Sequence, residues 1–68
     1  MDKLLINISG MACDHCRQRV EKAIKTVPGV SEVEVDLRRG TARVAGRDLL
    51  PTDVLAAISA AGYTATLM

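Results

Sequence analysis

Val30-Ser31-Glu32-Val33-Glu34-Val35-Asp36-Leu37, VSEVEVDL, alternates acidic and apolar side chains from Glu32 onward. A period of two belongs to a strand with one face covered and the other in water, because successive side chains point to opposite sides. Val33, Val35 and Leu37 make the covered face; Glu32, Glu34 and Asp36 make the wet one. Arg38-Arg39-Gly40 supplies a turn, and residues 41–45 return with Ala42 and Val44 inward, so the unit is a hairpin.

The same reading extends outward in both directions. Residues 3–8 form a strand with Leu4, Ile6 and Ile8 on one face and Asn7 on the other, Leu5 interrupting the polar side. From residue 14 to residue 27 the period becomes helical: Cys16, Val20, Ala23, Ile24 and Val27 make one apolar stripe, and Arg17, Gln18, Glu21, Lys22 and Lys25 lie outside it. Asp14 suits a helix N-terminus, Glu21 precedes Lys25 by four residues, and Pro28-Gly29 stops the helix. Beyond the hairpin, Pro51-Thr52-Asp53 opens a second helix with Thr52 read as its cap. Its Val54, Leu55, Ile58 and Ala61 face the sheet, and Gly62 ends it. Residues 63–67 form a last strand with Tyr63, Ala65 and Leu67 on one side. The order βαββαβ, with strands polar on one face, predicts an α+β, ferredoxin-like fold: an antiparallel four-stranded sheet with two helices on one face.

The chain has 68 residues, 49% of them hydrophobic and 25% charged, and Tyr63 is its only aromatic residue. No linker or repeat divides it, so a single domain over residues 1–68 is expected, with a core of aliphatic side chains. A net charge of +1 argues against broad electrostatic binding of nucleic acid, and the missing aromatics remove the stacking platforms used for single strands. Leu4-Leu5-Ile6 is far too short for a signal peptide or a membrane span. The chain starts almost directly with folded structure, which leads us to expect a cytosolic protein.

Chemistry is concentrated in Gly10-Met11-Ala12-Cys13-Asp14-His15-Cys16, GMACDHC, which holds both cysteines and the only histidine. In a reducing compartment two cysteines serve metal binding or catalysis more often than a structural disulfide. A Cys13–Cys16 bridge would close a tiny loop and remove little entropy from the unfolded chain. Two intervening residues let both sulfurs converge when the second begins a helix, whose N-terminal N–H groups favour thiolate over thiol. That serves metal binding and thiol exchange alike. A closed zinc site wants four protein ligands, which two cysteines and one histidine do not supply. Cu(I) is satisfied by soft thiolates, and a partner's cysteine could join as a third ligand and take the ion over. The rival is a small CxxC dithiol oxidoreductase. Against it, Ala12 stands where such enzymes often carry an aromatic, and Pro28 and Pro51 fall at element boundaries.

GMACDHC after a strand resembles the GMxCxxC signature of heavy-metal-associated domains, which occur as small copper chaperones and as N-terminal metal-binding domains of copper-transporting P-type ATPases. Val27-Pro28-Gly29-Val30 and Ala61-Gly62-Tyr63 resemble further segments of that family, so the likeness runs along nearly the whole chain. The resemblance implies a carrier rather than an enzyme. Cys13 and Cys16 would hold Cu(I) and pass it by cysteine exchange to the metal-binding domain of a copper-transporting ATPase or to another CxxC acceptor. It implies that Met11 packs beneath the loop and that Tyr63 lies beside the metal, shielding the sulfurs. His15 is expected as an exposed imidazole near the site rather than a ligand. Zinc- and cadmium-exporting relatives often carry an acid where Ala12 stands; mercury-binding relatives share the signature, and mercury is the nearest alternative cargo. Arg17, Arg19 and Lys22 around the start of the first helix are a candidate docking face for an acidic partner. Exposed thiolates also leave a metal-bridged homodimer open.

Overall fold

The computed structural model describes residues 2–68; Met1, the first residue of the expected domain, lies outside the described residues. The elements are β1 (Asp2–Ser9), α1 (Asp14–Lys25), β2 (Val30–Asp36), β3 (Thr41–Gly46), α2 (Pro51–Ala60) and β4 (Thr64–Leu67). They follow the βαββαβ order expected. The four strands form one sheet in the order β2-β3-β1-β4, and every neighbouring pair is antiparallel. Each connection through a helix therefore skips over one strand, the split βαβ arrangement.

The alternation in β1 decides which face the helices cover. Ile6 and Ile8 are buried, while Leu5 just before them is 50% exposed and lies on the open face. Val44 sits opposite Leu4 and Val33, and Ala42 opposite Ile6 and Val35, so the inward residues of three strands fall in register. Onto this layer α1 lowers Val20 and Ile24, and α2 lowers Val54 and Ile58; all four are fully buried. Burying an aliphatic side chain of this size contributes about 1.5–3 kcal/mol, and no aromatic residue is needed to close the core.

Several sequence expectations are corrected at element ends. Helix α2 begins at Pro51 with Leu50 as its N-cap and no side-chain cap, so Thr52 lies inside the helix rather than capping it. Proline carries no N–H to satisfy and its fixed φ suits the first turn, so the helix starts before the threonine. Leu37 falls just past β2 and Tyr63 just before β4, and α1 stops at Lys25 although Val27 is still buried. Leu67, expected to face inward, is 46% exposed, because β4 is a four-residue edge strand paired only with β1. Leu49, not singled out by periodicity, is buried, and its backbone N–H donates to Asp2 Oδ2 at 3.1 Å.

Far from the α1 N-terminus, the entry to β2 crosses the exit of β3 almost in contact. The Arg47 N–H donates to the Gly29 carbonyl at 2.9 Å, and a bulge lies between Val30 and Glu32. A Cβ on Gly46 would collide with that Gly29 carbonyl oxygen. Gly46→Ala is accordingly expected to lower the stability to urea by about 1–3 kcal/mol, as overpacking against rigid backbone does; an unchanged unfolding midpoint would contradict the close approach.

Candidate metal centre

The thiol loop is the crossing from β1 to α1, and its course follows from what flanks it. Ile8 anchors the end of the strand in the core and Val20 anchors the helix. Between them Gly10 takes φ +95, a conformation that L side chains rarely adopt. Met11 is half-buried and packs against the core. Cys13 is the N-cap of α1: its backbone is extended (φ −152, ψ 166) and its carbonyl accepts the Arg17 N–H at 3.2 Å. Cys16 falls in the first helical turn, where backbone N–H groups have no helical partner.

Both cysteines are free, Cys13 exposed and Cys16 half-exposed. Their sulfurs lie 3.1 Å apart, a thiol–thiol contact well beyond the ~2.05 Å of a disulfide. Cys16 is the more acidic position. Its pKa is drawn from 9.0 down to about 7, first by the Tyr63 phenol and next by the Cys13 thiol, with the backbone amides of Ala12 and Cys13 helping. The pKa of Tyr63 is itself raised, chiefly by Cys16, with Arg19 opposing. The Tyr63 ring also lies over Gly10, where an added Cβ would stand 3.6 Å from Cδ1. The structure thus brings Met11, Cys13, Cys16 and Tyr63 together from the β1–α1 crossing and the segment between α2 and β4.

His15 is exposed and lines a groove between the two helices with Gln18, Arg19, Lys22 and the small residues Ala60 and Ala61. The groove encloses about 600 Å³ and has no acidic residue in its walls. Arg17 is placed otherwise than Arg19 and Lys22. Its guanidinium bonds Asp14 at 2.7 Å and Glu21 at 2.9 Å, leaving its side chain 28% exposed and its charge answered. Arg17 in turn holds the Asp14 carboxyl below the usual carboxylate range. The ladder runs at spacings of three and four residues along α1, where helix side chains stand one above the other. Among the described residues no three or more His, Cys, Asp or Glu side chains gather as a metal cage. The donors at the loop are therefore two soft sulfurs and no ring of hard ligands.

A βαββαβ sheet carrying a paired-thiol loop at its first strand–helix crossing defines a small ferredoxin-like domain with a soft-donor site. The chain matches the heavy-metal-associated domain over residues 5–64, and it belongs to that family. Over 40 residues it is 50% identical to the copper chaperone CopZ of Staphylococcus haemolyticus (strain JCSC1435), covering 59% of each chain. Over 63 residues it is 40% identical to the mercuric reductase of Shigella flexneri, covering 91% of this chain and 11% of that protein. A copper binding domain from a P-type ATPase matches in structure with a TM-score of 0.96 at 30% identity, covering 100% of this chain and 95% of that one. The chain spans 59% and 11% of the lengths of the two curated relatives. No helix among the described residues is long and apolar enough to cross a membrane.

Because the folded environment favours Cys16 thiolate, it adds stability that is fully present above pH 9.0 and is lost as the pH falls through about 7. Thiolate absorbance followed against pH should show a first midpoint near 7. Tyr63→Phe removes the leading cause and should move that midpoint upward. An unmoved midpoint would remove the phenol from this account.

Proposed function

We propose that this chain is a Cu(I) carrier, a single domain over residues 1–68 that acts in the cytosol and hands the ion to a partner bearing its own CxxC. The observation that carries the reading is the pair of sulfurs 3.1 Å apart at a helix tip, with Cys13 open to solvent and no hard-ligand cage beside it. Soft thiolates select a soft monovalent ion, and a site with few ligands leaves room for another sulfur. The copper chaperone and the copper binding domain of a P-type ATPase found as relatives support the same cargo. Met11 supports the loop from below and Tyr63 screens it from the side; His15 stands apart as an exposed neighbour.

Transfer proceeds by ligand exchange. A partner cysteine loses its thiol proton to solvent and bonds the ion, a Cu–S bond to Cys13 or Cys16 breaks, and the released thiolate takes up a proton. Copper stays Cu(I) throughout, and no electron moves. Cys13 is the more exposed sulfur and is the first to be displaced. The acceptor is the metal-binding domain of a copper-transporting P-type ATPase or another CxxC domain.

The similarity to a mercuric reductase favours mercury as the second reading of the cargo. An anaerobic titration separates the two. Under reducing conditions, with a colorimetric Cu(I) chelator in competition, the native chain should retain one equivalent of Cu(I), and the Cys13→Ser, Cys16→Ser double variant should retain none. Weak Cu(I) retention beside tight Hg(II) binding would transfer the assignment to mercury. Catalytic reduction of insulin disulfides with poor metal retention would replace the carrier by an oxidoreductase.

A further inference from the structure

Cys13-Asp14-His15-Cys16 carries, side by side, two thiols, a carboxylate and an imidazole. By type alone these are a full four-donor set for a divalent ion such as zinc. The fold does not assemble them: among the described residues no three such side chains gather as a cage. His15 lines the groove between the helices, with Gln18, Arg19 and Lys22. Asp14 is the more telling case, because its carboxylate is held in place by named donors.

Arg17 Nε donates to Asp14 Oδ1 at 2.7 Å, and Gln18 Nε2 donates to Asp14 Oδ2 at 3.1 Å. Each carboxylate oxygen thus has its own donor from the next turn of α1. Arg17 is fixed in its turn: its Nη1 donates to Glu21 Oε2 at 2.9 Å, and Lys25 Nζ lies 3.1 Å from the other Glu21 oxygen. From Asp14 to Lys25 the bonds form a row that runs along the helix, away from its thiol-bearing tip. Charge-assisted bonds of this kind are the stronger ones, and the guanidinium fork fixes direction as well as distance. To coordinate an ion beside Cys13, the carboxylate would have to surrender at least one of these bonds.

We propose that Arg17 and Gln18 are positioning residues for metal choice: they keep the Asp14 carboxylate off the thiol pair, which therefore accepts a soft monovalent ion and turns away zinc and cadmium. Specificity is gained by withholding a contact from the wrong ligand as well as by offering one to the right ligand. A hard oxygen beside two thiolates favours divalent ions, whereas Cu(I) is satisfied by the sulfurs. The inference rests on the Cu(I) carrier reading and names the residues behind its selectivity.

The test releases the carboxylate. Binding of Zn(II), Cd(II) and Cu(I) is measured anaerobically against chromophoric chelators. The proteins are the native chain, the Arg17→Ala, Gln18→Ala double variant, and that variant with Asp14→Asn added. Release is expected to raise Zn(II) and Cd(II) affinity relative to Cu(I) by about tenfold or more, and adding Asp14→Asn should cancel the gain. Lys22 forms no ion pair among the described residues, so Lys22→Ala removes one positive charge from the same helix with the carboxylate still held. No gain in the double variant, an equal gain from Lys22→Ala, or a gain that survives Asp14→Asn overturns the proposal.

Ligation itself is read from the carbon-13 signal of the Asp14 carboxylate. On addition of Cd(II) that signal should shift in the double variant and hardly move in the native chain; equal shifts in the two would also refute the proposal. Poor Cu(I) retention by the native chain would count against the carrier reading alone, because the Asp14 signal decides the holding of the carboxylate independently.

Discussion

Everything about the site depends on how the two helices bury their aliphatic stripes on one face of the sheet. Ile6, Val20, Ile24, Val44, Val54 and Ile58 meet with essentially no exposure, so β1 and α1 are held as rigid bodies on either side of a four-residue crossing. Interiors packed to this density transmit position, since filling or emptying them by even a methylene is felt. The sulfurs therefore occupy defined places on an otherwise exposed loop. Met11 and Tyr63 pack against the edge of the same core, and the Tyr63 ring lies over Gly10 at the start of that loop.

The site achieves its properties through scarcity. The loop holds one soft donor pair, an acidic tendency at Cys16 and an open approach at Cys13, the features on which the proposed exchange rests. A fuller set of ligands would hold an ion more completely and slow its release. The helix start is braced internally by Asp14, Arg17 and Glu21, while Arg19 lies beside the Tyr63 phenol.

Most of the architecture was legible because it rests on periodicity. The acidic–apolar alternation of β2 and the stripe on α1 each have one solution that buries apolar surface, and the structure adopts both. What could not be read lies where sequence neighbours stop governing. Leu49 is buried in the core, and its backbone N–H reaches Asp2, forty-seven positions away; no local period encodes either contact. Leu67 fits the inward pattern but sits on a short edge strand, where pattern does not ensure cover. Thr52 is a good capping residue displaced by a proline that begins the helix earlier. At the site, the closeness of the two thiols was plain from their spacing. The apolar stripe of α1 says nothing of the polar side, where Arg17 pairs with Asp14 and Glu21 at spacings of three and four residues.

The antiparallel pairing of β4 with β1 has a consequence for attachment. Thr64 lies opposite Ser9, near the sulfurs, while Leu67 lies opposite Ile6, and Asp2 begins β1 at the distant end. The first and last described residues are therefore both directed away from the thiols. A tether, tag or neighbouring module joined at either terminus would leave the sulfur-bearing tip facing outward, free to reach another molecule while the body is held.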